Sequence, residues 1–158
     1  MKNHRTIKVS AEGFDRDKWE ERAIFFEVTE MAGRAIKKVN FWPGKKLDYS
    51  LALIPGGQGL SIEEHLKKAV EDGLTIPPPV AALILRSESS LEGTDLKRIL
   101  VVHSPIAVQR RVCEGIGVAQ SLVFVLGWRA GAGQKLDVEP LNPARMLRSD
   151  EGIILLDK

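Results

Sequence analysis

The sequence predicts an α+β fold: one mixed sheet of about seven or eight strands with two helices, in a single globular domain over residues 1–158. Three observations carry that expectation. Several short runs alternate apolar and polar residues with the period of two that marks a half-buried strand. One stretch, Ser61 to Asp72, combines helical spacing with a capping signal. The composition is that of an ordinary globular domain, with 158 residues, 44% apolar, 28% charged and a formal net charge of +2. These figures exclude a disordered chain, a fibre and a disulfide-framed mini-protein.

Arg22 to Phe41 reads as a β-hairpin. Ile24, Phe26 and Val28 alternate with Phe25, Glu27 and Thr29, Gly33 supplies the turn, and Val39 and Phe41 share one face of the return strand. Pro43-Gly44 breaks that strand, and Tyr49, Leu51 and Leu53 form another that Pro55 stops. In the helix Ser61 to Asp72, Ser61 and Glu64 have the capping-box spacing. Ile62, Leu66, Ala69 and Val70 make one apolar stripe, and Gly73 ends it. Pro77 to Pro79 is a stiff connector into Val80–Leu85, whose unbroken apolar character predicts a strand covered on both faces.

Ser87 to Asp95 is a polar loop, and Ile99 to Val102 a short apolar strand. Ser104 and Pro105 have the form of an N-cap and first helical residue, followed by Val108, Val112, Ile116 and Ala119 at helical spacing, with Gly115 and Gly117 weakening the second half. Leu122 to Leu126 returns to strand. Residues 98–128 therefore allow one βαβ crossover. Arg129 to Gln134 is a loop, and Ile153 to Leu156 a final strand.

Targeting and redox signals are sparse. The polar start, Met1 to Arg5, leads into no apolar core of a signal peptide, and the uncharged run Gly115–Trp128 is too short and too polar for a membrane span. The lone Cys113 can form neither an internal disulfide nor a cysteine-based zinc site. A cytoplasmic, reducing setting with no membrane contact is the expectation. His4, His65 and His103 are scattered, without the spacing of a metal motif, so no metal or cofactor is expected. Asp95-Leu96-Lys97 has the acid-x-lysine spacing of some nucleases, a pattern common by chance in charged chains.

Two motifs point to chemistry. Between Glu30 and Asp48 no acid occurs, while Arg34, Lys37, Lys38, Lys45 and Lys46 interleave with Phe41 and Trp42. Cations displace counterions from phosphates and aromatic faces stack on unpaired bases, so this basic hairpin suits single-stranded nucleic acid. The plainer account is a solvated edge whose lysines discourage aggregation. The second motif is the glycine run Gly56–Gly59 between a strand and the capped helix. Gly57, Gln58 and Gly59, with His103, Ser104 and Arg129, would form an anion-binding crevice if the strands ending at Pro55, His103 and Leu126 were parallel. A simple turn explains the glycines equally well, and the loop matches neither a phosphate-loop nor a dinucleotide motif.

The leading expectation is a non-enzymatic polyanion-binding module. The alternatives are a small phosphate-ligand-binding protein or hydrolase using Gly56–Gly59 and His103, and a structural subunit whose partner is another protein or a second copy. Whether the chain is an enzyme stays open at this level.

Overall fold

The structure, a computed structural model of the chain, describes residues 4–42, 44–88, 96–113, 116–129 and 133–157. Among them are eight strands in a single mixed sheet and four helices, so the α+β class stands and the helix count rises from two to four. In chain order these are β1 (Arg5–Glu12), α1 (Arg16–Ala23), β2 (Glu27–Val28), α2 (Glu30–Ile36), β3 (Lys46–Pro55), α3 (Ile62–Glu71), α4 (Val80–Glu88), β4 (Arg98–Val101), β5 (Ile106–Cys113), β6 (Ile116–Arg129), β7 (Gly133–Pro140) and β8 (Glu151–Leu156). The sheet order is β1-β3-β8-β4-β6-β7-β2, with β5 also paired to β6. Pairing is antiparallel except for β4 with β8 and β2 with β7. None of the described helices is long and apolar enough to cross a membrane.

The central strands are covered on both faces. Leu51, Leu53, Ile99, Val101, Phe124, Leu126 and Ile154 pack with α1, α2 and α4 on one side. Their alternates Ala52, Leu100, Val125, Ile153 and Leu155 pack with α3 and Leu147 on the other. At about 1.5–3 kcal/mol for each fully buried large aliphatic side chain, these two layers hold the sheet.

Three expectations are corrected. The segment 22–41 is not a hairpin. Asp15 and Thr29 cap α1 and α2 by accepting the N–H groups of Lys18 and Ala32, and only Glu27 and Val28 remain extended. The deciding pattern is Ala32, Ala35, Ile36 and Val39 at i, i+3, i+4 and i+7, all buried.

Val80–Leu85 is not a strand but the buried body of α4. A continuous apolar run reads the same for either element. Pro78 and Pro79 settle it by accepting the Ala81 and Ala82 N–H groups at 3.0 and 3.1 Å, which starts the first turn.

The helix expected from Ser104 to Ala119 is absent, and with it the βαβ crossover. Ile106 and Val108 are buried while Ala107 and Gln109 are exposed, the period of β5, and β5 forms an antiparallel hairpin with β6. The helix Ser61–Asp72 and the strands at 49–53, 99–102 and 153–156 match α3, β3, β4 and β8 to within a few residues, and the strand at 122–126 lies inside the much longer β6, which begins six residues earlier at Ile116.

An ionic network around the buried Glu151 ties the segment before β8 to the sheet. Glu151 is held by both guanidinium nitrogens of Arg145, at 2.9 and 3.0 Å, and by the Arg148 N–H. Arg98 pairs with Glu139 and lies 3.7 Å from Glu151. At the end of α4, Arg86 is buried. Its Nη1 donates to the carbonyls of Gly127 and Lys135, and its guanidinium lies 5.0 Å from the centre of the Trp128 ring. Burial lowers the Arg86 pKa to about 10.

Candidate functional site

The basic, aromatic segment folds as the α2 helix and the turn leading into β3, so its residues form two groups rather than one strand platform. Arg34 sits in the last turn of α2, with Lys37 at the C-cap and Lys38 following. Arg34 pairs with Glu30 at 2.8 Å and reaches the Gln109 carbonyl at 3.3 Å; Lys38 donates to the Ala107 carbonyl at 2.6 Å. Those two carbonyls belong to β5, so the cations of α2 cover main-chain acceptors of that strand. Lys37 is exposed and points to no partner among the described residues.

Phe41 is half buried, stacked on Phe14 with ring centres 5.7 Å apart. The Arg16 guanidinium lies 5.0 Å from the centre of the Phe41 ring. The same guanidinium caps the end of α2 by donating to the carbonyls of Ile36, Lys37 and Val39 at 2.8 to 3.1 Å. The sequence offered no signal for Arg16, because the carbonyls it satisfies lie some twenty residues further along the chain.

Trp42 differs from its neighbour. Its side chain is 48% exposed, and the Lys45 ammonium lies 5.3 Å from its ring centre. The Lys45 N–H bonds the Trp42 carbonyl at 3.3 Å, and Gly44 adopts φ +79°, closing the turn that delivers exposed Lys46 to the start of β3 opposite Glu12. Trp42 and Lys45 thus form one surface pair, with Lys46 next in the chain, and Phe41 and Arg16 join it to the end of α2.

The glycine loop is drawn into the fold. Gly56 and Gly57 donate their N–H groups to the carbonyls of Glu151 and Leu147, both at 2.8 Å. A Cβ on Gly56 would lie 2.4 Å from the Arg148 carbonyl oxygen. Gly57, Gln58 and Gly59 all have positive φ, which favours glycine at two of the three positions. The N-terminus of α3 is occupied too. Ile62 and Glu63 donate to the carbonyls of Arg145 and Pro143 at 2.9 Å, and Glu64 to the Ser61 hydroxyl at 3.2 Å. The donors that would cradle an anion at a helix start are therefore taken up by this chain's own backbone and cap.

The crevice requires strand directions that the sheet does not have. β3 is antiparallel to β8, β8 is parallel to β4, and β4 is antiparallel to β6. The glycine loop after β3 and Arg129 at the end of β6 therefore share one end of the sheet, and His103 and Ser104 leave β4 at the other. His103 fills a specific gap. β4 pairs with β6 up to Leu100↔Val125, and β5 takes over only at Ile106↔Leu122. Between them the buried imidazole accepts the Phe124 N–H on Nε2 at 2.9 Å and donates from Nδ1 to the Ser104 carbonyl at 2.8 Å. Both ring nitrogens are thereby used, and burial lowers the pKa despite the opposing Ser104 hydrogen bond. Ser104 itself is exposed.

Two histidines that look scattered in the sequence converge instead. His4 and His65 line a cleft of about 380 Å3 beside Gly56, Gln58 and Lys68. His65 donates from Nε2 to the Gly57 carbonyl at 3.2 Å, and His4 Nε2 lies 3.4 Å from an Asp157 carboxylate oxygen. No local pattern could have signalled this, because the contact depends on the β1–β3 pairing. Among the described residues no group of three or more His, Cys, Asp or Glu is placed to hold a metal ion. Asp95, of the acid-x-lysine pattern, lies outside the described residues. No family model matches the chain, and comparison with curated proteins and with solved structures likewise gave no match.

Proposed function

We propose that this chain binds a polyanion, single-stranded nucleic acid above all, at the Trp42–Lys46 turn and the adjoining basic end of α2. The observation that carries the reading is the half-exposed Trp42 indole with the Lys45 ammonium over its ring; Lys46 is the next residue of the chain and is exposed. An exposed indole beside cations supplies the two terms such binding needs. Stacking of a base on an aromatic side chain contributes roughly 1–3 kcal/mol, and each neutralised phosphate of a single strand adds a salt slope of about −0.7. Lys37 and Lys38 add positive charge at the C-terminal end of α2, next to Arg34, whose charge is partly offset by Glu30. With a net charge of +2, attraction is local to this surface rather than spread over the molecule.

Fluorescence titration with a short single strand, at low and at moderate salt, tests the reading. Trp19 is buried and Trp128 half buried, so quenching by a bound base reports chiefly on Trp42. Salt-sensitive binding weakened roughly tenfold or more by Trp42→Ala, and again by Lys45→Glu with Lys46→Glu, is the expected result. Binding that ignores all three changes, or no binding at low salt, would overturn it.

A second reading, contact with a protein partner, is favoured by Ile24 and Phe25. These neighbours in the turn after α1 are 79% and 76% exposed. Sedimentation at rising concentration, with and without Ile24→Ser and Phe25→Ser, tests its self-association form. A monomer throughout removes that form.

A further inference from the structure

Among the described residues, the strands with a neighbour on one side only are β1, β2 and β5, and the chain treats these edges differently. β2 is two residues long, and Lys38 and Arg34 cover the β5 carbonyls of Ala107 and Gln109. β1 is eight residues long, holds no proline and pairs with β3 without a register shift. Gly13 donates to the Lys45 carbonyl at 3.2 Å in step with that register, so the odd-numbered residues of β1 exchange bonds with β3. The far side of β3 agrees: the Ser50 carbonyl, opposite Lys8, accepts the Asp157 N–H beyond β8. The main-chain groups of Thr6, Lys8, Ser10 and Glu12 therefore point out of the sheet. Of these, only the Glu12 carbonyl has a partner among the described residues, the Lys18 ammonium at 2.7 Å. The side chains of the same four residues are exposed. Lys8 and Glu12 make no ion pair within 4 Å among the described residues, although Glu12 stands opposite Lys46 of β3.

We propose that two copies of this chain dimerise by pairing their β1 strands antiparallel about Ser10, which continues the sheet across a two-fold axis. Outward-facing groups must meet, so an even-numbered residue of one copy stands opposite an even-numbered residue of the other. Centring the pair on Lys8 sets like charges face to face. Centring it on Val9 sets Lys8 opposite Ser10 and Glu12 opposite Thr6, with no opposite-charge pair. Centring it on Ser10 sets Lys8 of each copy opposite Glu12 of the other, twice by symmetry, which is the favoured charge arrangement. That register also sets Val9 opposite Ala11 on the buried face of β1. A cleft of about 250 Å3 lies along Ser10 to Glu12, bounded by Lys18, Glu21 and Arg22 of α1, where Lys8 of the second copy enters. Both copies use the same edge, so the assembly closes at two.

Sedimentation equilibrium of the intact chain at rising concentration tests this, and a dimer is the expected species. Ser10→Pro is expected to reduce it to a monomer, because the N–H that proline removes points outward and takes no part in the β1–β3 ladder. Lys8→Glu and Glu12→Lys are each expected to weaken dimerisation by about tenfold or more, since each sets like charges opposite one another. An equimolar mixture of those two variants is expected to recover it, because their charges complement each other at both positions. Circular dichroism verifies the fold of each variant. Ile24→Ser with Phe25→Ser leaves this dimer intact, which separates it from contact through the turn after α1. A monomer at every concentration, growth beyond a dimer, a dimer that survives Ser10→Pro, or charge variants that do not recover on mixing would overturn the proposal.

Discussion

His103 stands where one strand hands over to another, and replacing it isolates what a side chain contributes in place of a backbone partner. His103→Leu keeps much of the volume but removes the acceptor for the Phe124 N–H, in a residue with no exposed surface. An orphaned buried donor costs about 1–3 kcal/mol, and loss of the Nδ1–H bond to the Ser104 carbonyl adds to it. His103→Gln, whose carboxamide offers an acceptor, should recover part of the loss.

The same bonds make a pH prediction. The ring must be neutral to accept on Nε2, and burial holds its pKa below that of an exposed histidine, about 6.5. Between the depressed folded value and the unfolded value the unfolded state binds more protons. The contribution of His103 to stability is therefore complete above pH ~6.5 and is lost as pH falls through that window, with a slope of up to about 1.4 kcal/mol per pH unit. Urea unfolding of the wild type and of His103→Leu, near pH 7.5 and near pH 5.5, measures both effects. His4 and His65 are common to the two proteins, so the difference between their pH dependences belongs to His103. Equal stability at neutral pH, or an undiminished pH dependence in the variant, would refute the reasoning.

Other consequences follow from particular contacts. Gly56→Ala should destabilise by about 2 kcal/mol or more in denaturant unfolding, because its Cβ would collide with the Arg148 carbonyl and Leu147; Gly33→Ala should stabilise by about 0.5–1 kcal/mol, being in α2 with nothing within 4 Å. Arg86 has Nε and Nη2 unpaired among the described residues, so Arg86→Met should change stability by less than about 1.5 kcal/mol, and a loss above ~3 kcal/mol in the same assay would show that the bonds to Gly127 and Lys135 dominate. For Glu151, burial alone would raise the pKa, but the Arg145 and Arg148 hydrogen bonds and the nearby guanidinium charges outweigh it and hold it below the usual carboxylate range. Stability from this group is present above pH ~4.3 and lost as pH falls through the lowered folded value, so Glu151→Gln should cost about 1–3 kcal/mol at neutral pH, with the difference from wild type shrinking in acid-unfolding experiments.

The candidate site was legible only in its local parts. The clustering of Arg34 to Lys46 is a fact of sequence, and the turn that exposes Trp42 with Lys45 and Lys46 is built by adjacent residues. Whether Arg34 and Lys38 face solvent or a strand was not, because their acceptors in Ala107 and Gln109 come from β5. The cleft of His4 and His65 depends on the pairing of β1 with β3 and on the packing of α3, and neither histidine carries a local mark of it.

What the sequence determined by itself is whatever a few neighbouring residues can satisfy together. Ser61 caps α3 through Glu64, three residues away, and the alternation of β3 is a periodicity within one element; of the expected α3 stripe Ile62 and Ala69 are buried, whereas Val70 is exposed and His65 is buried in its place. Tertiary structure decided the rest. An apolar run such as Val80–Leu85 needs burial on every side, which a helix between α1 and the sheet supplies as well as a central strand. The valines after Ser104 fit a period of nearly four or of two, and the choice fell to β6, whose backbone offered β5 a ladder. Strand direction, which placed His103 at the opposite end of the sheet from the glycine loop, is set by partners far along the chain. Its hydrogen bonds join residues that no local pattern relates.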